Sequence, residues 1–304
     1  MMIKKHLLMA AIAIAACSCG GQKSDNPLFN EFDTPYGIAP FSEITIDHYR
    51  EGMLRGMEEQ KAEIEAIVNN PEAPTFENTI VALDQCGELL RKVRGTFSPL
   101  SSSNSTEEIR ALQKEMSPIS SAHSDDINLN PALFARVKAV YEQKDNLSLT
   151  AEQAKVLQNT YDRFVKSGAE LSDADKEKLR ALNQEISMLQ LTFSQNLQHE
   201  TNNTYVVANS LEELKGLPQA NIDAAAKMAA DNGQQGKWMF NMQRPSCNPV
   251  LQYCENRELR EKVYKAYYNR GNQDNEYDNK AISAKIVALR LEKAKLMGYN
   301  NYAE

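Results

Sequence analysis

The feature that most constrains the fold is an apolar stripe in the middle of the chain. Leu179, Leu182, Ile186, Leu189, Phe193 and Leu197 follow one another at intervals of three or four residues. That period places their side chains on one face of an α-helix. Ser172 stands at the start, where its hydroxyl can accept from a free backbone N–H. The stripe predicts an amphipathic helix of roughly seven turns or more, a length that suits packing along a partner helix, as in a hairpin. Asp173 and Asp175 fall in its first turn, where the helix dipole favours negative charge, so this acidic pair has a structural explanation.

Helical signals dominate the rest of the chain. Over 47–69, Met53, Met57, Ile64, Ile67 and Val68 keep near-helical spacing, and Asn69-Asn70-Pro71 ends the run. A second helix is predicted over 75–97, with Ile80, Leu83, Leu90, Val93 and Phe97 on its apolar side and Cys86 as a small core residue. A third starts at Ser105, which makes a capping box with Glu108, and Pro118 is expected to kink or end it. Asn130-Pro131 opens a fourth, with Leu133, Val137, Val140 and Tyr141 facing the core. Thr150 and Gln153 cap a fifth, which Gly168 closes. Further helices are expected over 219–231, 249–269 and 279–297, with Gly298 after the last. Tyr205-Val206-Val207 is the only good strand candidate. No repeat period is present. The expected fold class is all-α.

A chain of 304 residues with 42% hydrophobic and 25% charged residues can bury a large core and reads as an ordinary globular protein. Its net charge of −7 excludes the basic footprint of a nucleic-acid binder, and no nucleic-acid partner is expected. The first residues form a targeting segment. Lys4 and Lys5 precede the apolar run Leu7 to Ala16, which falls short of the roughly 20 residues a membrane span needs. Ile14-Ala15-Ala16-Cys17 then matches a bacterial lipoprotein box, with Cys17 as the lipidated residue. A plain secretory signal, with Cys17 and Cys19 incidental, is the alternative. The expected organisation is a signal peptide over 1–16, a polar tether over 17–26 and a helical region over 27–304. The expected location is the bacterial cell envelope, with the membrane touched through the lipid anchor only. Cys247 and Cys254 either pair in an oxidising compartment or share one helical face.

Candidate chemistry is sparse. A helical zinc-peptidase site needs two imidazoles one turn apart and a Glu to activate the metal-bound water. The histidines are His6, His48, His123 and His199. His199-Glu200 is the only His-Glu pair, and Asn203 occupies the place of the second imidazole. No residue is therefore assigned as metal ligand or catalytic group. No G-x-S-x-G elbow or phosphate-cradling loop occurs. The run Tyr264-Lys265-Ala266-Tyr267-Tyr268 could line a ligand groove, but the preferred reading packs one aromatic edge inward and leaves the hydroxyls in water. Trp238 is read as a core residue.

Short segments in a fixed order point further. They include Asn26-Pro27-Leu28, Thr34-Pro35-Tyr36, Asp47-His48-Tyr49-Arg50, the stretch Ala73 to Thr79, Glu88-Leu89-Leu90, Leu133 to Val137, Arg163-Phe164-Val165 with Gly168-Ala169, Lys237-Trp238, Arg260-Glu261-Lys262 and Leu296 to Glu304. The ordered set resembles the front half of the thimet-oligopeptidase and oligopeptidase A family of zinc metallopeptidases, in its peptidyl-dipeptidase (dipeptidyl carboxypeptidase) branch. The resemblance implies a helical body split by a deep channel, in which long antiparallel helices of the front half form one lobe and channel wall. It implies zinc as cofactor, short unfolded peptides as substrates and release of C-terminal dipeptides. It also implies that the zinc ligands and catalytic Glu lie in a later half of the same fold. None maps onto a position here, so this chain is expected to be inactive by itself and to need that C-terminal half as a partner. The alternative is a non-catalytic helical lipoprotein that binds peptides or a partner protein.

Overall fold

The computed structural model describes residues 24–304. The signal segment, Cys17 and Cys19 lie outside the described residues. At the other end of the proposed tether, Asn26 is already part of the fold. It is buried, and its amide donates to the His48 carbonyl (3.0 Å) and to Glu51 (2.9 Å).

Helix α1 (Ile46–Val68) starts where Thr45 accepts from the His48 N–H while His48 Nδ1 accepts from the Thr45 N–H. It ends at Asn69, as the sequence suggests. A π-helical turn, Phe76–Val81, then runs into α2 (Ala82–Gln85). The single helix expected over 75–97 is in fact broken at Gly87, after which α3 (Glu88–Ser103) begins. Gly87 sits at φ 77°, and its N–H donates to Glu63 Oε2 at 2.6 Å. A Cβ there would stand 2.4 Å from the Gln60 amide, in a conformation L-residues avoid. Helix α4 (Glu107–Asn128) is capped by Thr106 instead of Ser105, and Pro118 does not end it. The proline removes one main-chain donor, but Ile109, Leu112, Met116 and His123 are buried on both sides of it and the helix continues through it.

Helices α5 (Pro131–Glu142), α6 (Ala151–Lys166) and α7 (Asp173–Asn203) begin at their expected caps, Asn130, Thr150 and Ser172. At 31 residues, α7 is the long helix the stripe predicts. Leu179, Leu182 and Ile186 are buried, whereas Leu189, Phe193 and Leu197 are half-buried. Next, β1 (Tyr205–Ala208) pairs antiparallel with β2 (Trp238–Asn241), Val206 opposite Phe240. This second strand has four residues, too few to show an alternation in the sequence. Helix α8 (Gln219–Asp231) lies between the strands. The helix expected over 249–269 is also two, α9 (Arg244–Tyr253) and α10 (Arg257–Tyr268). Asn256 separates them by capping α10, its Oδ1 accepting from the N–H groups of Glu258 and Leu259. Finally α11 (Lys280–Leu296) closes at Gly298, φ 84°.

Five helices stand side by side in the order α3, α1, α4, α7, α11. Gly52 and Gly56 let α3 approach α1, and a Cβ on Gly56 would come within 2.9 Å of the Leu90 backbone. Arg50–Glu115 (2.9 Å) and Gln60–His123 (2.7 Å) join α1 to α4. Ser117–Ser187 and Arg180–Asp126, both 2.9 Å, join α4 to α7. Asn196–Asn279 (3.1 Å) and Lys293–Asn183 (2.7 Å) run α11 antiparallel to α7. Tyr49, Met53, Leu90 and Val93 form one core in this layer, and Ile64, Ile80, Leu133 and Phe164 another at the far end of α1. The hairpin and α8–α10 enclose a separate core of Val206, Phe240, Val250 and Val263. The architecture is the expected all-α one, with a single two-stranded sheet among the described residues. Cys86, Cys247 and Cys254 are buried and free, so the Cys247–Cys254 pairing left open by the spacing does not form.

Candidate functional site

The described histidines lie on three different helices, and each has a local role. His48 belongs to the cap of α1. His123 is buried, with Nε2 2.7 Å from Gln60 Oε1. His199 stacks on Tyr277, ring centroids 3.7 Å apart. Its neighbour Glu200 is 3% exposed and accepts from the Gly271 N–H and from Asn275 Nδ2 at 2.7 Å. Asn203 donates to the His199 carbonyl at 2.9 Å. The His199-Glu200 pair thus braces the loop between α10 and α11. Among the described residues no three His, Cys, Asp or Glu side chains converge on a point where a metal could sit. The residues described do not fit a zinc ion, and no chemical step is assigned to one here.

The surface instead offers an aromatic and basic face on α10. Tyr264 and Tyr268, four residues apart, meet with ring centroids 4.4 Å apart and are 52% and 63% exposed. With Leu251, Arg257, Arg260 and Glu261 they line a recess of about 500 Å³. Arg260 is held by the carbonyls of Cys254 (2.5 Å) and Glu255 (3.0 Å), and Glu261 pairs with Lys265 (2.6 Å). Arg257 is exposed at the first turn of the helix. Tyr267 turns inward, packs on the hairpin core and carries the Arg270 guanidinium 3.8 Å over its ring. The tyrosine run therefore divides: Tyr267 packs as the preferred reading has it, and Tyr264 and Tyr268 line the groove. Trp238 is half-buried against the same core, as expected.

A second recess, of about 360 Å³ and mostly apolar, lies between α7 and α11 where Phe193, Ile286 and Val287 meet. Val287 and Leu291 are exposed on α11. Such surfaces can stack on and bury apolar groups, and Arg257 can pair with a carboxylate. They hold no nucleophile paired with a base. The sequence signal for the α10 face was Arg257, Arg260, Tyr264 and Tyr268 at helical spacing. The sequence reading names the tyrosines as candidate groove lining within an expected helix, and does not join Arg257 and Arg260 to them.

Comparison with known proteins gives this surface a context. Residues 250–304, which carry α10, α11 and their exposed aromatic and aliphatic side chains, match the model of peptidase family M3. A dipeptidyl carboxypeptidase of Escherichia coli (strain K12) is 34% identical over 278 residues, 91% of this chain and 41% of the relative. An organellar oligopeptidase A of Arabidopsis thaliana is 31% identical over 92% of this chain and 36% of its own length. An oligopeptidase A of Haemophilus influenzae is 30% identical, with 92% and 41% covered. The chain spans about two fifths of the length of these curated relatives. By these matches the chain is similar to peptidases of family M3 over about two fifths of their length, and its residues 250–304 carry the part that the family model recognises.

Proposed function

We propose that this chain is the helical front portion of an exported zinc peptidase of the peptidyl-dipeptidase type. In this reading the layer from α3 to α11 is a scaffold and channel wall for short unfolded peptides, from which the whole enzyme releases C-terminal dipeptides. The metal site belongs to sequence that these residues do not include. The observation that carries the reading is the near-complete match of this chain to under half of a dipeptidyl carboxypeptidase. The exposed Tyr264, Tyr268, Val287 and Leu291, all within residues 250–304, are apolar surface of the kind a further part of such a body would cover. The bound metal would supply the activated water; the described residues would orient the body around it.

The test is an assay of residues 17–304 with a blocked tetrapeptide and added zinc. No dipeptide release above background is expected. Chelator-sensitive release would overturn the division of labour. Reading the transcript beyond codon 304 is the companion measurement: an H-E-x-x-H sequence is expected, and a stop codon would refute the proposal for this molecule. The proposed anchor at Cys17 predicts that Cys17→Ala moves the protein from the membrane to the soluble fraction. Continued membrane association would overturn the anchor alone.

A further inference from the structure

One cavity in the helical layer lies apart from the α10 face. It is polar, measures about 490 Å³ and opens among α3, α4, α7, α11 and the end of α6. Three cations line it: Arg94 from α3, Lys166 from α6 and Lys293 from α11. The only carboxylate in the lining is Asp125, which is buried. The lining therefore carries two net positive charges, in a chain whose total is −7.

The cations have no carboxylate in direct contact, and Asp125 acts on Lys293 from a distance. None of the three takes part in an ion pair within 4.0 Å among the described residues. Lys293 Nζ donates to Asn183 Oδ1 at 2.7 Å, and Asn183 Nδ2 donates to Asp125 Oδ1 at 2.8 Å. The amide is thus interposed between the one carboxylate and Lys293. Arg94 reaches solvent, yet enough protein surrounds it that burial pushes its pKa down. Burial does the same to Lys293. A half-buried Lys293 with no carboxylate in contact costs free energy that a bound anion would recover.

The remaining lining is donor-rich. Ser117, Ser120, Ser121 and Ser124 occupy one face of α4 at intervals of three, one and three residues and all turn into the cavity. Hydroxyls can donate several hydrogen bonds to one oxyanion, and arginine and lysine supply the charge. A monovalent carboxylate would leave most of these donors unused.

We propose that this cavity binds a phosphate-bearing small molecule, with Arg94 and Lys293 as its principal charge partners and the α4 serines as donors. The site is independent of the peptidase reading and stands or falls separately from it.

The experiment is calorimetry and thermal melting of the full chain with inorganic phosphate, against sodium acetate and sodium chloride at equal ionic strength. Saturable phosphate binding is expected, with a rise in Tm of roughly 5 °C at a hundredfold excess over Kd. Acetate and chloride should give no saturable signal. Arg94→Gln and Lys293→Gln should each weaken phosphate binding about tenfold or more. Ser124→Asp, at an exposed position of the lining, should weaken it comparably. Lys285→Gln, on the same helix but paired with Glu185 outside the cavity, should leave it unchanged. Absence of saturable binding would overturn the proposal, and so would a phosphate effect that persists in Arg94→Gln/Lys293→Gln and in Ser124→Asp.

Discussion

At His123 burial becomes a dependence on pH. The imidazole sits between α4 and α1, and its pKa is pushed down first by burial and then by the nearby charges of Arg94 and Lys61, with Asp126 opposing. Its unfolded value is about 6.5. The unfolded chain therefore takes up this proton more readily than the folded one. The stability tied to neutral His123 is complete above about pH 6.5 and is lost as pH falls through the depressed folded value. Urea unfolding at pH 7.5 and 5.5 should show a smaller acid-side loss for His123→Gln than for the parent. The comparison cancels Asp125, whose pKa burial raises and whose protonation favours the folded state. An equal loss in both proteins would show that His123 does not titrate in this window. Residue roles of this sort were only half legible. The sequence singles out His199-Glu200, but what Glu200 does depends on Gly271 and Asn275, more than seventy residues further on.

Among elements, the α1–α3 contact is the sharpest case of backbone meeting backbone. Gly56→Val should destabilise by about 2–3 kcal/mol, because the added carbons meet the Leu90 main chain, which cannot rotate away. Gly95→Ala in the same pair, where a Cβ meets nothing within 4 Å, should stabilise by about 0.5–1 kcal/mol. Denaturant melts of the two variants check both signs, and similar values would show that Gly56 does not meet the Leu90 main chain. Helix starts were legible at Asn130, Thr150 and Ser172 because cap donors and acceptors lie within three residues of one another. The breaks at Gly87 and Asn256 were not, since the apolar period runs on through both. Gly87 turns the chain because Glu63 and Gln60 of another helix stand against it. Pro118 does not end its helix, because packing on both sides outweighs one missing hydrogen bond.

At the scale of the molecule, the hairpin unit with α8–α10 is fastened to the five-helix layer largely through the end of α7. Glu200 holds the loop after α10, Arg270 donates to Thr201 at 2.6 Å, and Asn279 donates to the Phe193 carbonyl at 3.0 Å. Glu200→Ala should cost about 1–3 kcal/mol, since it strands the buried Gly271 N–H, while the exposed Asn275 amide can turn to water. It should also speed amide exchange over 269–279 while leaving α1 and α3 protected. Uniform loss of protection would show that the two parts unfold as one. The all-α class and the length of α7 were legible from one periodic stripe; the division into a layer and a hairpin unit was not, because it rests on pairings between distant segments. The sequence of α7 contains neither glycine nor proline from Asp173 to Asn203. At 1.5 Å per residue it is a rod about 46 Å long. It therefore behaves as a strut: a push on the hairpin unit travels the length of the rod to α4 and α11 instead of being absorbed by a bend. Any hinge between the two parts has to lie past the rod's end, at Thr204, and in the loop 269–279 by which the chain returns to α11.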